Sequence, residues 1–558
     1  MKNIKWFAIL FLGMLAACYD DLGNYDYDNS INGVEIELAK VYGVRKTDTT
    51  LVIRPVIRQT AGKSLDNLRF MWRMSTKGEQ DLSYPRGDTL SYADTVALVI
   101  DTQKSPFKYT YWLRFYIEDI TTGTRTMVPT MVSIVKPYEG CWMVLHEQGG
   151  YTKLGSIEYV GDNIIVSDDA YYKERGEHLR GKPFHLDAIT NIADPSYWGY
   201  DAAAAFYCFT DDPQESGLLR QDDGFSLYSS MEKCIYPDHY RQGWKPEDVT
   251  MIEGNGNGSM AISGGKVFQG SLYIPRMYGM FPNATLSPDY YISHGTSAGP
   301  TNVVYDRVNR CFLNCYTGRN WWWSPMWGWD NSKDEIEMGG EMDPIFKHPS
   351  NASNEVLEDI GEDKEMVYIG TGFWYGSSLM AGWARICIYA VANSKVNNKT
   401  YVYEFHSYPL YQPGEEADPA PFTGYYIINT PVGFTAETPC ATSADYNRIL
   451  FYAVDNRVYR LDFGQTDGKS QLIWQHPDGG AKVKAMKMAR KDVPDNDKYA
   501  DYGHLPNRSL GIAFETSDGN GDVVILNLNN SGKVDNDGKY PSTQIHSGFG
   551  KIKDIVFL

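Results

Sequence analysis

The stretch Asn447-Arg-Ile-Leu-Phe-Tyr-Ala-Val-Asp-Asn-Arg-Val-Tyr-Arg-Leu461 holds two apolar and aromatic runs on either side of a short polar turn. Runs of this length, rich in Ile, Val, Phe and Tyr, are typical of paired β-strands. The same unit recurs along the chain after residue 137, least regularly at 202–209. Its other copies are 161–166, 202–209, 264–274, 309–313, 364–369 and 507–514.

The spacing of these copies predicts a β-propeller over residues 137–558. Copies start 45 residues apart from 264 to 309, 55 from 309 to 364 and 60 from 447 to 507, and the step from 309 to 447 is 138, or three times 46. Units of roughly 40–50 residues with four strands each are typical of propeller blades. We expect about seven blades, with six or eight as alternatives, and two separate sandwiches as the competing architecture. The final run, 552–558, is expected to pair with 141–146 and close the ring, because closure removes free sheet edges.

Residues 33–136, which precede this region, have a different sequence pattern. Short apolar runs are punctuated by glycines, and the boundary falls at Lys136-Pro-Tyr-Glu-Gly140. Six or seven short strands in about 100 residues predict an immunoglobulin-like β-sandwich, with Trp72 and Trp112 filling its core. The strands are expected at 34–38, 51–57, 68–74, 95–100, 109–117 and 126–135.

The first residues form a secretory signal. Lys2 and Lys5 precede an apolar run that ends in Leu15-Ala-Ala-Cys18, and the run is too short to span a membrane. An ordinary secreted protein with a chance cysteine at this point is the alternative. Residues 19–32 are polar and acidic, so we expect a flexible tether there.

Two of these stretches resemble a known family. Leu15-Ala-Ala-Cys18 resembles a bacterial lipobox, in which Cys18 becomes the lipidated first residue after residues 1–18 direct export. The acidic pair Asp20-Asp21 resembles a surface-export signal, and the run 111–120 with Thr-Thr-Gly after it resembles the late strand and turn of a PKD-like domain. Together with the propeller-like region, the chain resembles the PKD-like family lipoproteins of Bacteroidetes.

The resemblance implies a fold, a place and partners. It implies an all-β chain in which an immunoglobulin/PKD-like β-sandwich is followed by the propeller. It also implies a lipid anchor at Cys18 in the outer membrane, facing the cell exterior, and an accessory role in a SusC/SusD-type importer. The expected partners are a SusC-like barrel, a SusD-like lipoprotein and an oligopeptide or glycan ligand. The family supplies no catalytic motif to transfer to this sequence.

Composition narrows the function classes. The formal net charge of −18 argues against nucleic acid, which requires basic stripes. Removing Cys18 from the eight cysteines leaves an odd number, so no dense disulfide framework is expected. Cys311 and Cys315 are predicted to be free thiols, because four residues of strand hold them about 13 Å apart.

The strongest binding signal is Trp321-Trp-Trp-Ser-Pro-Met-Trp-Gly-Trp-Asp330. Five Trp this close together, with a proline and a glycine among them, cannot all point into the core of one strand. Exposed rings stack on sugar faces or take apolar side chains, although packing inside a blade is the alternative. The residues predicted to bind ligand or partner are Trp321, Trp322, Trp323, Trp327, Trp329, Phe373, Trp374 and Tyr375.

Two patterns resemble catalytic or metal motifs. Gly295-Thr-Ser-Ala-Gly299 fits a nucleophile elbow, but Pro300 and a strand-like run follow where a helix is needed. Asp518, Asn520 and Asp522 alternate like calcium ligands, but no Gly or Glu stands where an EF-hand requires them. We predict a hairpin turn there, with calcium as the lesser alternative, and no cofactor otherwise.

The sequence thus predicts a non-enzymatic lipoprotein that serves nutrient import. The alternative is a propeller hydrolase of polysaccharide or peptide, which carboxylates clustered in the central funnel would favour. A purely structural subunit is the third interpretation and predicts a large apolar docking patch.

Overall fold

The structure, a computed structural model, is almost entirely β. It divides into two compact units, Met1–Val135 and Lys136–Leu558. The all-β prediction is confirmed. Among the described residues, no helix has the length and apolar character needed to cross a membrane. The described residues are 32–39, 41–45, 50–60, 64–75, 88–99, 111–135, 138–160, 163–192, 203–234, 244–246, 248–253, 258–271, 278–280, 290–292, 297–298, 301–316, 342–345, 357–377, 384–407, 422–489, 507–535 and 541–557.

The first unit contains three sheets within its described residues, with strand orders β1-β4, β3-β7 and β2-β9-β8-β5-β6. Strand β2 runs parallel to β9, and the other pairs are antiparallel. Its elements are β1 (Val34–Glu37), β2 (Val41–Arg45), β3 (Thr50–Ile53), β4 (Val56–Gln59), a 3-10 helix (Leu65–Asn67), β5 (Leu68–Ser75), β6 (Asp88–Ser91), β7 (Val96–Val99), β8 (Tyr111–Asp119) and β9 (Arg125–Val135).

Two expectations for this unit are wrong in detail. The run 51–57 is two strands rather than one, and β3 and β4 belong to different sheets. The break falls at Pro55, whose ring fixes φ and whose nitrogen has no proton to donate to a ladder. Trp72 is fully buried, as predicted, and stacks on Phe115 with ring centroids 4.4 Å apart. Trp112, in contrast, is only half-buried.

The difference between these two tryptophans makes a stability prediction. Trp72→Ala is expected to lower the free energy of unfolding of the first unit by about 4 kcal/mol, because it empties a closed core site. Trp112→Ala is the matched control, with a smaller expected loss of about 2 kcal/mol, since part of its surface is already in water. Hydrogen exchange of the β5 and β8 amides in the full chain measures both losses. Equal losses would contradict this account of the core.

Within its described residues, the second unit holds the remaining strands and one short helix. Its elements are β10 (Trp142–Gln148), β11 (Tyr151–Val160), β12 (Asn163–Ser167), α1 (Ala170–Arg175), β13 (Pro183–Ile192), β14 (Ala203–Thr210), β15 (Gly217–Arg220), β16 (Leu227–Ser230), β17 (Asp248–Glu253), β18 (Gly258–Ser263), β19 (Lys266–Ser271), β20 (Tyr278–Met280), β21 (Tyr290–Ile292), β22 (Ser297–Ala298), β23 (Thr301–Asp306), β24 (Cys311–Tyr316), β25 (Met342–Pro344), β26 (Lys364–Ser377), β27 (Ala384–Ser394), β28 (Lys399–Ser407), β29 (Phe422–Asn429), β30 (Cys440–Ala441), β31 (Ile449–Val454), β32 (Arg457–Asp462), β33 (Lys469–Gln475), β34 (Lys482–Met488), β35 (Ser509–Glu515), β36 (Gly521–Asn527), β37 (Thr543–Phe549) and β38 (Lys551–Phe557).

These strands form seven sheets within the described part of the unit. Each of the seven sequence copies overlaps a strand of a different sheet, and the copy at 447–461 spans the hairpin of β31 and β32. The strand orders are β12-β11-β10-β38, β13-β14-β15-β16, β20-β19-β18-β17-β22, β21-β23-β24-β25, β26-β27-β28-β29, β30-β31-β32-β33 and β34-β35-β36-β37.

The last strand of the chain belongs to the first sheet of this unit. Strand β38 runs antiparallel to β10, from Trp142 opposite Phe557 to Glu147 opposite Lys551, so the predicted pairing is confirmed. The first and last sheets also share a core, in which the Trp142 ring fills the space beside Gly511. A Cβ atom on Gly511 would lie 2.4 Å from that ring, so only glycine fits there.

The structure bears on two predictions about individual residues, the nucleophile elbow at Ser297 and the free thiols at Cys311 and Cys315. Ser297 lies in the two-residue strand β22, and the next described residues form strand β23. The helix that a nucleophile elbow requires is therefore absent from the described residues 301–316. Cys311 is a free thiol, as predicted, but it is half-buried rather than part of the core. The side chain of Cys315 lies outside the described residues.

Candidate functional site

Most of the residues predicted to bind ligand lie outside the described part of the chain. This applies to the five tryptophans at 321, 322, 323, 327 and 329, and Cys18, the predicted lipidation site, also lies outside the described residues. Phe373, Trp374 and Tyr375 lie in β26, where Phe373 is half-buried against the core around Cys387. Their role as ligand contacts stays a prediction.

A cavity of about 530 Å³ opens at one end of the first and last sheets of the second unit. We call it the acidic pocket. It is built by the β35–β36 turn, the ends of β10 and β37, and the turn between β33 and β34. Its lining residues are Gln148, Asp478, Thr516, Ser517, Asp518, Asn520, Asp522, Ser547, Gly548 and Phe549. Pockets of this size accommodate small ligands or one end of a larger one.

The turn at residues 516–520 joins β35 to β36, so the predicted hairpin at Asp518 is confirmed. Asp518 accepts hydrogen bonds from the Thr516 hydroxyl at 2.5 Å and from the Asn520 side-chain amide at 2.7 Å. These donors lower the pKa of Asp518 to about 2, the Thr516 hydroxyl contributing most. Among the described residues, no group of three or more His, Cys, Asp or Glu is arranged to hold a metal ion.

Asp478 enters the pocket from the preceding turn. It accepts hydrogen bonds from the backbone N–H groups of Ser517 at 2.7 Å and Gly480 at 2.9 Å. The pKa of Asp478 is lowered, chiefly by the Ser517 N–H. The carboxylate is therefore ionised and fixed in direction at neutral pH.

A buried histidine lies beside the third carboxylate. His476 Nδ1 accepts a hydrogen bond from the Asp478 N–H at 3.1 Å. The other ring nitrogen, Nε2, lies 3.2 Å from the Asp522 carboxylate. The imidazole packs against the Phe514 ring, with centroids 4.7 Å apart. The pocket thus presents three aspartates, and hydrogen bonds fix the carboxylates of Asp478 and Asp518.

Three exposed rings lie beside the pocket, and we call them the ring stack. The centroid of the His178 imidazole lies 4.2 Å from that of the Tyr151 ring and 4.6 Å from that of the Tyr172 ring, with interplanar angles of 30° and 25°. Two rings at these distances cannot share one face, so His178 lies between them. Its Nδ1 is 2.6 Å from the Asp169 carboxylate, which also caps α1. Tyr151 is 54% exposed and Tyr172 is 49% exposed.

The hairpin between β10 and β11 joins the ring stack to the pocket. Gln148 and Tyr151 are directly opposite each other across the two-residue turn Gly149-Gly150. Both glycines have positive φ, as a turn of this kind requires. Opposite residues of an antiparallel pair project from the same face, with Cβ atoms about 5 Å apart. The pocket residue and the first ring are therefore neighbours, and Lys153 Nζ donates to Gln148 Oε1 at 2.9 Å.

Sequence reasoning identified only part of this surface. It singled out Asp518, Asn520 and Asp522, but it missed Gln148, Asp478 and the ring stack. The Gly-Gly turn before Tyr151 was the available signal for an exposed aromatic at a hairpin. Nothing local in the sequence links Asp478 to Asp518, because the β34–β35 pairing brings them together.

A second polar cluster lies where β13, β34 and β38 meet. Asp554 accepts hydrogen bonds from the Leu186 N–H at 3.0 Å and from Lys487 Nζ, whose nearer contact is 2.9 Å. His185 Nδ1 is 3.6 Å from the same carboxylate, and burial raises the pKa of nearby Asp187. Asp554 thus connects one strand from each of three sheets, and we call this group the Asp554 clamp.

Comparison with known structures finds distant likenesses. A quinonprotein alcohol dehydrogenase-like protein from Bacteroides thetaiotaomicron is 11% identical, with 93% of this chain and 96% of that chain covered and a TM-score of 0.42. The WD40 domain of SCAP from fission yeast is 10% identical, covering 67% and 75%, with a TM-score of 0.29. A DUF4784 family protein from Bacteroides caccae is 10% identical, covering 79% and 95%, with a TM-score of 0.27.

No curated protein matches the chain. One family model does match, and the match extends beyond the first unit to Pro183, where β13 begins. It covers under a third of the chain. Residues 18–183 are thus similar to the PKD-like family.

Proposed function

We propose that the chain is a surface-exposed, non-enzymatic lipoprotein of the outer membrane and an accessory subunit of a SusC/SusD-type nutrient importer. Lipid on Cys18 anchors it, and residues 19–32 act as the tether. In this proposal the PKD-like unit is a spacer. The seven sheets of the second unit are blades of a β-propeller closed by the β10–β38 pair, and this propeller captures an oligopeptide or glycan or docks on the importer.

One observation carries this proposal. The segment similar to the PKD-like family begins at Cys18, the residue that the lipobox marks as the first of the mature protein. The start of the family match therefore supports the proposal that the exported chain begins at Cys18. Several acyl chains on one cysteine, at about 0.8 kcal/mol per buried CH₂, hold a protein stably on a bilayer.

The Asp554 clamp bears on the hydrolase alternative. A hydrolase needs a carboxyl group that faces its substrate and can exchange a proton. Asp554 is buried, and its two oxygens already accept from Leu186, Lys487 and the Ile555 N–H. These hydrogen bonds are typical of a carboxylate that joins strands. They therefore support the proposal of a non-enzymatic protein.

Co-purification tests the proposed partnership. The full chain, tagged at its C-terminus, is isolated from detergent-solubilised outer membranes, and the bound proteins are identified by mass spectrometry. We expect a SusC-like barrel and a SusD-like lipoprotein in amounts comparable to the chain. A tagged, unrelated outer-membrane lipoprotein is the control. Recovery of the chain without either partner would overturn the importer assignment.

A further inference from the structure

We propose that the acidic pocket and the ring stack together form a binding site for a neutral oligosaccharide. This inference rests on the proposed ligand-capturing function and names the class of ligand. One sugar ring lies on the exposed face of Tyr151, and the next places its hydroxyl groups in the acidic pocket.

The ring stack supplies the apolar half of the site. The tyrosines on either side of His178 each cover one face of the imidazole, and their high exposure comes from the opposite faces. Asp169 fixes the imidazole at 2.6 Å, so the stack is held in place before a ligand arrives. An aromatic ring that is already ordered loses little conformational entropy on binding. Its flat face matches the C–H face of a pyranose.

The acidic pocket supplies the polar half. A sugar hydroxyl donates one hydrogen bond and accepts others, so it requires both kinds of partner. The pocket offers acceptors in the carboxylates of Asp478 and Asp522 and donors in the amides of Gln148 and Asn520. The Ser547 hydroxyl can act in either direction, whereas the Thr516 hydroxyl already donates to Asp518 and is left as an acceptor. This mixture is typical of sites that recognise hydroxyl-rich ligands.

The two halves are close enough for one ligand. Gln148 lines the pocket, and Tyr151 stands opposite it across the hairpin, with side chains on the same face. Lys153 donates to Gln148 at 2.9 Å and to Asp168 at 2.6 Å, which holds the Gln148 amide between rings and pocket. Two adjacent sugar units of one oligosaccharide can therefore contact the Tyr151 ring and the acidic pocket at the same time.

Charge and lining argue against anionic glycans and against peptides with apolar side chains. Three aspartates in the pocket, on a chain with a formal net charge of −18, repel sulfated or uronic acid sugars. A peptide ligand would need apolar sockets for its side chains. The only apolar side chain lining this pocket is Phe549, which is fully buried. A neutral glycan carries no charge for the aspartates to repel, and it needs no apolar sockets.

The test uses the detergent-solubilised full chain and named probes. The probes are starch, xylan, galactomannan and yeast mannan as neutral glycans, chondroitin sulfate as the anionic glycan and tetralysine as the cationic peptide. We expect at least one neutral glycan to bind by isothermal titration calorimetry, with no binding of the other two probes. Tyr151→Ala and Gln148→Ala should each weaken that binding by roughly tenfold, the loss of one aromatic or polar anchor.

Two matched variants separate the site from general effects. Tyr151→Phe keeps the ring and should bind as the wild type does. Tyr92→Ala removes a 74% exposed tyrosine from the other unit and should change nothing. Failure of every neutral glycan to bind, wild-type binding by Tyr151→Ala, or binding of tetralysine instead would overturn the proposal. Since co-purification with the importer is measured separately, that failure would leave the importer assignment standing.

Discussion

Removing residues 551–558 is expected to unfold the second unit. Strand β38 supplies the antiparallel partner of β10, and its Ile552, Ile555 and Val556 are buried. Each such side chain contributes about 1.5–3 kcal/mol by leaving water. Together with the lost strand pairing, these contributions approach the whole stability of a typical domain, about 5–15 kcal/mol. Near-UV circular dichroism and resistance to protease measure the loss.

A single substitution isolates the Asp554 clamp from the rest of β38. Asp554→Ala leaves the Leu186 N–H and the Lys487 ammonium without their shared acceptor, so the second unit should lose about 3 kcal/mol of stability. Asp359→Ala is the matched control, because its pair with Arg310 lies at the surface, where solvent screens such pairs and they contribute little to stability. Equal effects of the two substitutions, or a truncated chain that unfolds as the wild type does, would contradict the closing role of β38.

Cys18→Ala is expected to remove the chain from the outer membrane. The several acyl chains on Cys18 are the proposed anchor, and no other residue in the lipobox can carry a thioether-linked lipid. Membrane fractionation and antibody labelling of intact cells should both show loss of the surface protein. Cys311→Ala is the matched control and should stay at the surface, since Cys311 lies within the second unit as a half-buried thiol. Surface display of the Cys18→Ala chain would refute the anchor.

Much of the fold could be predicted from the sequence because its signals are local. The run 447–461 encodes two adjacent strands and the turn between them, and that hairpin is observed as β31 and β32. The sequence does not predict the split of 51–57 although Pro55 marks it, because apolar residues stand on both sides of the proline. Trp112 was assigned to the core by residue type, and only the neighbouring strands decide how much of it is covered.

The candidate site was far harder to predict because it is assembled from distant segments. Gln148, Asp478, Asp518 and Ser547 reach one pocket only through the pairing of β10 with β38 and of β34 with β35. No short pattern contains that register. The stack of Tyr151 on His178 likewise depends on α1 and its cap at Asp169. Sequence patterns therefore identified the turn at Asp518 but not the partners that make it a pocket.

The central claim is that this chain is held on the cell surface through its first mature residue. The most direct test is the mass of the N-terminal peptide of the chain purified from outer membranes. The account predicts a peptide that begins at Cys18 and carries the added mass of a diacylglycerol group, with or without a further acyl chain. A peptide that begins elsewhere, or that begins at Cys18 with an unmodified thiol, would contradict it.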